Sequence, residues 1–295
     1  MNHLLGAVAA LGAAAAWAVS AMLFQRIGTQ LTPLITNLSK GLVALLAMSF
    51  LLLFADWRAP DWPALLALAC SGLVGIAFGD TLYFHTLNRL GPRLTLMVTT
   101  LVPVATAVAA VIFFREMPGI VAWLGLVCVL GSVAYVLWEK HKSSVQAAQH
   151  VMSGIAFAAV YVLAETAGML LTKFGVQEFS ALEANWWRQC AATLGLGIWL
   201  GALPAPRRLL APLQERAVWR PLLAAGVIGA FIGTWCTVIA LKYTYAAVAA
   251  TLSSTSPLFI LPMVAIFNRE PISRRALLAS LVAVCGVAVY FFAQN

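Results

Sequence analysis

Ionisable side chains stand inside long apolar stretches of this sequence and are the first candidates for chemistry. Glu165 lies in the middle of AAVYVLAETAGMLL, while Asp80 and His85 lie towards the end of another apolar stretch. A charge in hydrocarbon costs about 2.5–3.5 kcal/mol on insertion scales, so each should face a cavity or a partner. A carboxyl group withdrawn from water can exchange protons near neutral pH, and histidine titrates in the same range. These three residues are therefore our proton-coupling candidates. The alternatives are an ion pair for Glu165 and an interfacial position for His85.

Two cations recur in matching local sequences. Lys40 follows Asn37 by three residues, and Arg188 follows Asn185 by three residues. Two cations directed towards one cavity would suit a carboxylate or phosphate group on a substrate. The alternative is that both side chains extend to the lipid headgroups, because each lies within about two turns of a helix start. We take all four residues as substrate-binding candidates.

Hydroxyl residues accompany two prolines in the middle of apolar stretches. Proline removes a helix hydrogen bond and frees the carbonyl group four residues earlier. For Pro103 and Pro257 these carbonyl groups belong to Thr99 and Ser253. A kinked, polar patch at mid-depth is typical of a site that faces water. Thr99 and Ser253 are thus further substrate-binding candidates, although their hydroxyl groups could instead bond the broken backbone locally.

Aromatic side chains complete the candidate site. Rings in a cavity could stack on the apolar part of a substrate, and the candidates are Trp17, Tyr83, Tyr161, Trp187 and Trp235. Trp187 lies near a predicted membrane boundary, where tryptophan often anchors a helix at the lipid interface. Interfacial anchoring is therefore the alternative for that residue.

The composition defines the environment that must hold these residues. Of 295 residues, 62% are hydrophobic and only 9% are charged, whereas soluble domains have about 45–50% and about 25%. This excludes a soluble enzyme and a nucleic-acid-binding protein, and indicates an integral membrane protein whose partner is the lipid bilayer. The net charge of +8 is spread over short connections, as expected for contact with headgroups.

Known enzyme and cofactor motifs are missing from the sequence. It contains no zinc-protease, nucleophile-elbow, Walker A or dinucleotide-binding pattern. The five cysteines all lie in apolar stretches without a CxxC pair, so we expect neither a disulfide nor a metal site. We expect no catalytic residue and no cofactor, and without a nucleotide-binding loop any active transport must use an ion or substrate gradient.

A membrane-spanning helix needs about 20 mostly apolar residues. Segments of this kind are too long for buried strands and do not alternate as in an outer-membrane barrel. Ten candidates fit, at residues 4–26, 34–55, 64–87, 93–114, 119–138, 152–172, 182–202, 221–241, 246–267 and 275–292. The connections are too short to contain a soluble domain.

An internal duplication relates the two halves. GLVGIAFGD at 72–80 matches GVIGAFIGT at 226–234, and the same offset of 154 residues pairs Pro103 with Pro257. Earlier in each half the offset is 148, which pairs Lys40 with Arg188. Each half then holds five segments, 1–150 and 151–295, and because five is odd the second half is inverted. The predicted fold is all-α, with ten transmembrane helices as two inverted five-helix repeats around a central cavity, an arrangement that recurs in secondary transporters.

Most arginines and lysines of the connections follow odd-numbered segments. The positive-inside rule then places both termini outside the cytoplasm.

Two stretches resemble the EamA-type proteins of the drug/metabolite transporter superfamily. They are TLYFHTLNRLGPRLTLMVTTLVPVATAVAAVIFFREMP in the first half and ALKYTYAAVAATLSSTSPLFILPMVAIFNREPISRRALLASLVAVCGVAVYF in the second. The prolines and the acidic residues that follow them, Glu116 and Glu270, fit the family pattern, whereas Asp80 and His85 depart from it. The resemblance implies ten helices, a central cavity, export of small metabolites such as amino acids or toxic compounds, and termini in the cytoplasm, opposite to the charge distribution. Small four-helix relatives use a membrane glutamate in the helix equivalent to that of Glu165.

The sequence thus predicts a secondary active transporter, an exporter of small organic metabolites or toxic compounds by alternating access in a bacterial inner membrane. Protons are the candidate coupling ion. One alternative is a flippase for a lipid-linked phosphate carrier, with Lys40 and Arg188 as the phosphate clamps. An intramembrane enzyme would need a catalytic constellation that the sequence lacks, and a passive channel would not move solute against a gradient. The substrate, direction and oligomeric state stay open.

Overall fold

The computed structural model describes residues 2–54, 61–114, 145–244 and 246–267, with the single positions 120, 124, 127, 131, 278, 281, 282 and 285. The described part of the first half contains α1 (Asn2–Ile27), α2 (Pro33–Leu52), α3 (Trp62–Ser71), the π-helix π1 (Gly72–Asp80), α4 (Thr81–Thr99) and α5 (Leu101–Phe114). That of the second half contains α6 (Val145–Gly175), α7 (Ala181–Ala202), α8 (Pro206–Leu210), a 3₁₀ turn (Ala211–Gln214), α9 (Arg216–Ala225), π2 (Gly226–Gly233), α10 (Thr234–Tyr243), α11 (Ala246–Ser253) and α12 (Ser256–Phe267). No strand occurs among these residues, so the all-α prediction is confirmed for them.

Five of the described helical stretches are long and apolar enough to cross a membrane. They are Leu4–Ile27, Pro33–Leu52, Trp62–Thr99, Val151–Gly175 and Arg216–Tyr243. Predicted segments five and ten lie largely outside the described residues, as do Glu116 and Glu270. The described helices are compatible with ten spans, and the remainder of that count stays a prediction.

Equivalent helices of the two halves begin with equivalent caps. Thr32 precedes α2, and its hydroxyl group accepts a hydrogen bond from the Ile35 amide at 3.5 Å. Ser180, at the matching position before α7, accepts one from the Glu183 amide at 3.2 Å. Glu183 returns the contact by accepting a hydrogen bond from the Ser180 amide at 2.9 Å, which completes a capping box. This buried acid is therefore part of a helix start.

Gly91 separates the third predicted segment from the fourth. Its φ of 77° interrupts the helical backbone inside α4, a conformation that glycine adopts without the penalty of a Cβ atom. Pro92 follows directly and suits the first turn of the next helix. Proline lacks a backbone N–H group, and an N–H group in the first turn would have no partner within the helix. Gly91 thus marks the break between two helices within this stretch.

The two Gly-xx-Gly-xxx-Gly motifs form π-helices at equivalent places, π1 and π2. The widened turn of a π-helix is rare and occurs often at functional sites. The sequence motif indicated the duplication, but the change of hydrogen-bond register could not be read from it.

Packing between the halves is reciprocal. Helix α1 packs along α9, π2 and α10, while its counterpart α6 packs along α3, π1 and α4. Likewise α2 packs on π2 and α7 packs on π1, and α2 and α7 pack on each other. Each half is therefore held mainly by the other, as expected for two interlocked inverted repeats.

Candidate functional site

A cavity of about 80 Å³ lies where the two halves meet. This volume is enough for several water molecules. Both halves contribute to the wall, which consists of Trp17, Asp80, Tyr83, Leu96, Thr99, Val102, Tyr161, Glu165, Met169, Thr237, Ala250, Ser253, Ser254 and Ser256. The central cavity predicted from the duplication is therefore present.

Glu165 extends into this cavity from the middle of α6. Its carboxylate makes no hydrogen bond or ion pair with any residue that the structure describes. The charged groups that act on it electrostatically are Asp80, Arg188 and Lys40. On the matching face of α1 the equivalent position holds Trp17, which lines the same cavity. The two halves thus place different chemistry at one structural position.

Asp80, at the end of π1, carries the second acidic group of the wall. Lys40 Nζ lies 2.5 Å from Asp80 Oδ2, and the Lys40 side chain is almost completely buried, with 1% exposed. The same ammonium group lies 5.9 Å from the ring centre of Trp17 and 5.5 Å from that of Phe84. Lys40 is therefore satisfied within the protein and does not extend to the headgroups.

Arg188 is also buried, with 6% of its surface exposed. Its Nε donates a hydrogen bond to Ser71 Oγ at 2.9 Å. Ser71 in turn donates to the Gly168 carbonyl at 2.7 Å and lies 2.6 Å from the Thr172 hydroxyl. Arg188 thus joins α7 to α3 and α6 through neutral groups, and it has no ion pair within 4.0 Å among the described residues.

The two equivalent asparagines hold the π-helical segments. Asn37 Nδ2 donates to the carbonyl groups of Ile76 and Ala77 at 2.8 and 3.2 Å, and to the Thr81 hydroxyl at 2.9 Å. Asn185 Nδ2 donates to the Thr234 hydroxyl at 2.9 Å. Both asparagines lie outside the cavity wall and position the segments that form it.

Three aromatic rings make one side of the cavity. Tyr83 lies between the other two, 6.4 Å from the ring of Trp17 and 5.5 Å from that of Tyr161. These edge-to-face and tilted arrangements are the ones that aromatic pairs favour. The Tyr83 hydroxyl group is buried and has no hydrogen-bond partner among the described residues.

Another part of the wall is formed by helices that break just before their prolines. The helix ends at Thr99 and resumes at Leu101 in the first half, and it ends at Ser253 and resumes at Ser256 in the second. Thr99 Oγ1 donates to the Leu96 carbonyl at 2.7 Å, whereas Ser253 Oγ is buried without a partner in the described part of the chain. Thr99 therefore both bonds the backbone at the break and lines the cavity, whereas Ser253 lines the cavity without such a bond.

The remaining candidates lie away from this cavity. His85 stacks on Phe157 with ring centres 4.7 Å apart, and its Nδ1 is 3.3 Å from Arg89 Nη1. Trp187 and Trp235 pack in an apolar cluster with Val238. Of all the site candidates from the sequence, seven line the cavity, namely Trp17, Asp80, Tyr83, Thr99, Tyr161, Glu165 and Ser253.

Sequence reasoning missed several wall residues. They are Leu96, Val102, Met169, Thr237, Ala250, Ser254 and Ser256. Thr237 lies one turn after Gly233 and Met169 one turn after Glu165, so helical spacing from those residues was the available signal.

The fold and this cavity define a class of protein: a multi-pass helical membrane protein whose two repeats share one internal cavity, as in secondary transporters. The sequence profile of the EamA-like transporter family matches residues 4–138 and 152–292. The chain belongs to that family, whose members are membrane transporters of small molecules and not enzymes.

One solved structure illustrates the likeness of fold. The solved structure, titled "Crystal structure of protein", matches 98% of this chain and 97% of its own chain. The TM-score is 0.72 and the sequence identity is 16%. At that identity the similarity concerns the fold alone. None of the curated proteins matches this sequence.

Proposed function

We propose that this chain is a secondary active exporter of small organic metabolites that works by alternating access and is driven by protons through Glu165. One observation carries the proposal: the Glu165 carboxylate faces the cavity that both halves share and has no bonded partner among the described residues. A carboxyl group in such a place can take up or release a proton on whichever side the cavity opens.

The other two candidates for the proton are less suited. Asp80 is engaged by Lys40 at 2.5 Å, and separating that pair would leave a buried cation alone. His85 lies outside the cavity wall, between Phe157 and Arg89. Glu165 therefore remains as the acid that is both accessible and unengaged.

Export, and a bacterial inner membrane as the location, are inferred from the resemblance to EamA-type exporters. The sequence contains no Walker A nucleotide-binding loop, which supports an ion or substrate gradient as the driving force. The flippase alternative would need Lys40 and Arg188 to reach a lipid phosphate. Both are buried and engaged inside the protein, and no observation favours that alternative.

Proton movement in proteoliposomes tests the proposal. The purified chain would be reconstituted with a pH-sensitive dye inside, and a panel of amino acids and organic amines would be added outside. We expect solute-dependent proton release with the wild-type chain and none with Glu165→Gln. The matched control is Glu178→Gln, which removes an exposed acid and should leave the signal intact. Unchanged proton release in Glu165→Gln, at equal protein level, would refute the coupling role.

A further inference from the structure

The charged groups that line the cavity are all of one sign among the described residues. Asp80 and Glu165 supply carboxylates, and no lysine, arginine or histidine belongs to the described wall. The two buried cations lie behind it, Lys40 on Asp80 and Arg188 on Ser71. They offset the charge of the acids but offer no donor at the wall. The charged groups that a ligand in the cavity can contact are therefore negatively charged hydrogen-bond acceptors.

A second, independent feature also points to a ligand that can hydrogen-bond. Tyr83 is only 4% exposed, and its hydroxyl group has no partner in the described part of the chain although the residue lines the cavity. Leaving such a group without a hydrogen bond is unfavourable. Tyr83 lies one turn after Asp80 on the same helical stretch, so the orphan hydroxyl and a carboxylate share one face.

The rings beside these acceptors are suited to a cation. Lys40 Nζ already lies 5.9 Å from the ring centre of Trp17, which shows that this aromatic wall tolerates a buried ammonium group. The rest of the wall is apolar or carries hydroxyl groups, notably Leu96, Val102 and Met169. A ligand with a charged head and a small apolar body would match both parts.

We infer that the cavity binds a primary organic ammonium ion with a small apolar or aromatic body. Its three N–H donors match three acceptors, the Glu165 carboxylate, the unpaired oxygen of Asp80 and the Tyr83 hydroxyl. Its body lies against Trp17 and Tyr161. This inference rests on the proposed transport function for its biological meaning, but it concerns binding and can be tested separately.

An anionic ligand fits the same geometry poorly. A carboxylate or phosphate would stand beside Asp80 and Glu165 with no described cation at the wall to contact. A neutral alcohol could satisfy Tyr83 but would leave the Glu165 carboxylate without a charged partner. The selectivity expected from the structure is therefore cation over neutral compound and anion, opposite to the expectation from Lys40 and Arg188 in the sequence.

Calorimetric titration of the purified full chain in detergent separates these cases. The probes are 2-phenylethylammonium, its N,N,N-trimethyl derivative, 2-phenylethanol and phenylacetate, which share a ring and differ in the head group. We expect 2-phenylethylammonium to bind about tenfold tighter than the alcohol or the carboxylate, because a hydrogen bond to a charged group is worth more than a neutral one.

Two variants locate the binding site. Tyr83→Phe should weaken the primary ammonium about fivefold and leave the trimethyl derivative unchanged, because only the former donates to the hydroxyl oxygen. Tyr243→Phe, which removes a hydroxyl group outside the cavity wall, should change neither. Glu165→Gln should weaken both cations, and Glu178→Gln neither.

Three outcomes would overturn the inference. Phenylacetate or the alcohol binding as tightly as the ammonium ion would do so, as would equal effects of Tyr83→Phe and Tyr243→Phe, or no binding of any probe. Selective ammonium binding without Glu165-dependent proton release would defeat the proposed coupling alone. Coupled proton release with a solute of another charge would defeat this inference alone.

Discussion

Gly75 and Gly168 pack backbone against backbone across the interface between the halves. A methyl group added to Gly168 would lie 2.9 Å from the Cα atom of Gly75. The counterpart contact joins Gly229 to Ser20, where a methyl group on the glycine would lie 2.5 Å from the serine Oγ. The partners are related by the offsets of 154 and 148 residues found in the sequence. The same kind of helix contact thus occurs twice between the halves, with the roles of the two halves exchanged.

Substituting Gly168→Ala should destabilise the protein. The new methyl group meets backbone atoms that cannot rotate away, and overpacking of this kind costs about 1–3 kcal/mol. The measurement is the melting temperature of the purified protein in detergent, which should fall. Gly197→Ala is the control, because nothing lies within 4 Å of a Cβ atom there. Equal melting temperatures for the two variants would contradict this account of the interface.

The Lys40–Asp80 pair should behave as a unit in stability measurements. Asp80→Asn and Lys40→Met each leave one buried charge alone, which typically costs about 3–5 kcal/mol. The double variant removes both charges and should recover much of that loss. Thermal unfolding of the three variants provides the double-mutant cycle. Losses that simply add would mean that the two side chains do not depend on each other.

Asn37→Ala should destabilise the chain more than Asn185→Ala. The Asn37 amide donates to the carbonyl groups of Ile76 and Ala77 and to Thr81, whereas Asn185 donates to Thr234 and to the sulfur of Met48. Loss of buried hydrogen-bond partners costs about 1–3 kcal/mol. Melting temperatures of the two variants measure the difference. A smaller effect for Asn37→Ala would show that π1 does not depend on this contact.

Ten spans in two inverted repeats predict where the connections lie. The connection that contains α8 follows the seventh segment, so it should lie on the opposite side of the membrane from both termini. Arg207 and Arg208 are exposed there, as expected for a cytoplasmic connection. Reporter fusions at each terminus and after Arg208 can locate all three. A shared side for the connection and either terminus would be incompatible with the predicted arrangement.

The sequence by itself determined the environment, the helical class and the duplication. The apolar content and segment length required membrane helices, because hydrocarbon satisfies no backbone hydrogen bond. The positions of Glu165, Tyr83 and Ser253 at the cavity could also be anticipated. A polar group in an apolar helix is expensive to bury, so the folded chain must turn it towards a partner or a cavity.

Only the tertiary structure decided whether each polar group faces a bonding partner or the cavity. Asp80 engages Lys40, Arg188 bonds Ser71, and Glu165 is left facing the cavity. Spacing along one helix fixes the face on which a side chain lies, but not which helix lies opposite. The distances between facing helices depend on glycine contacts such as that of Gly75 with Gly168 and on the widened turns of π1 and π2. They join residues far apart in the chain, and local sequence does not specify them.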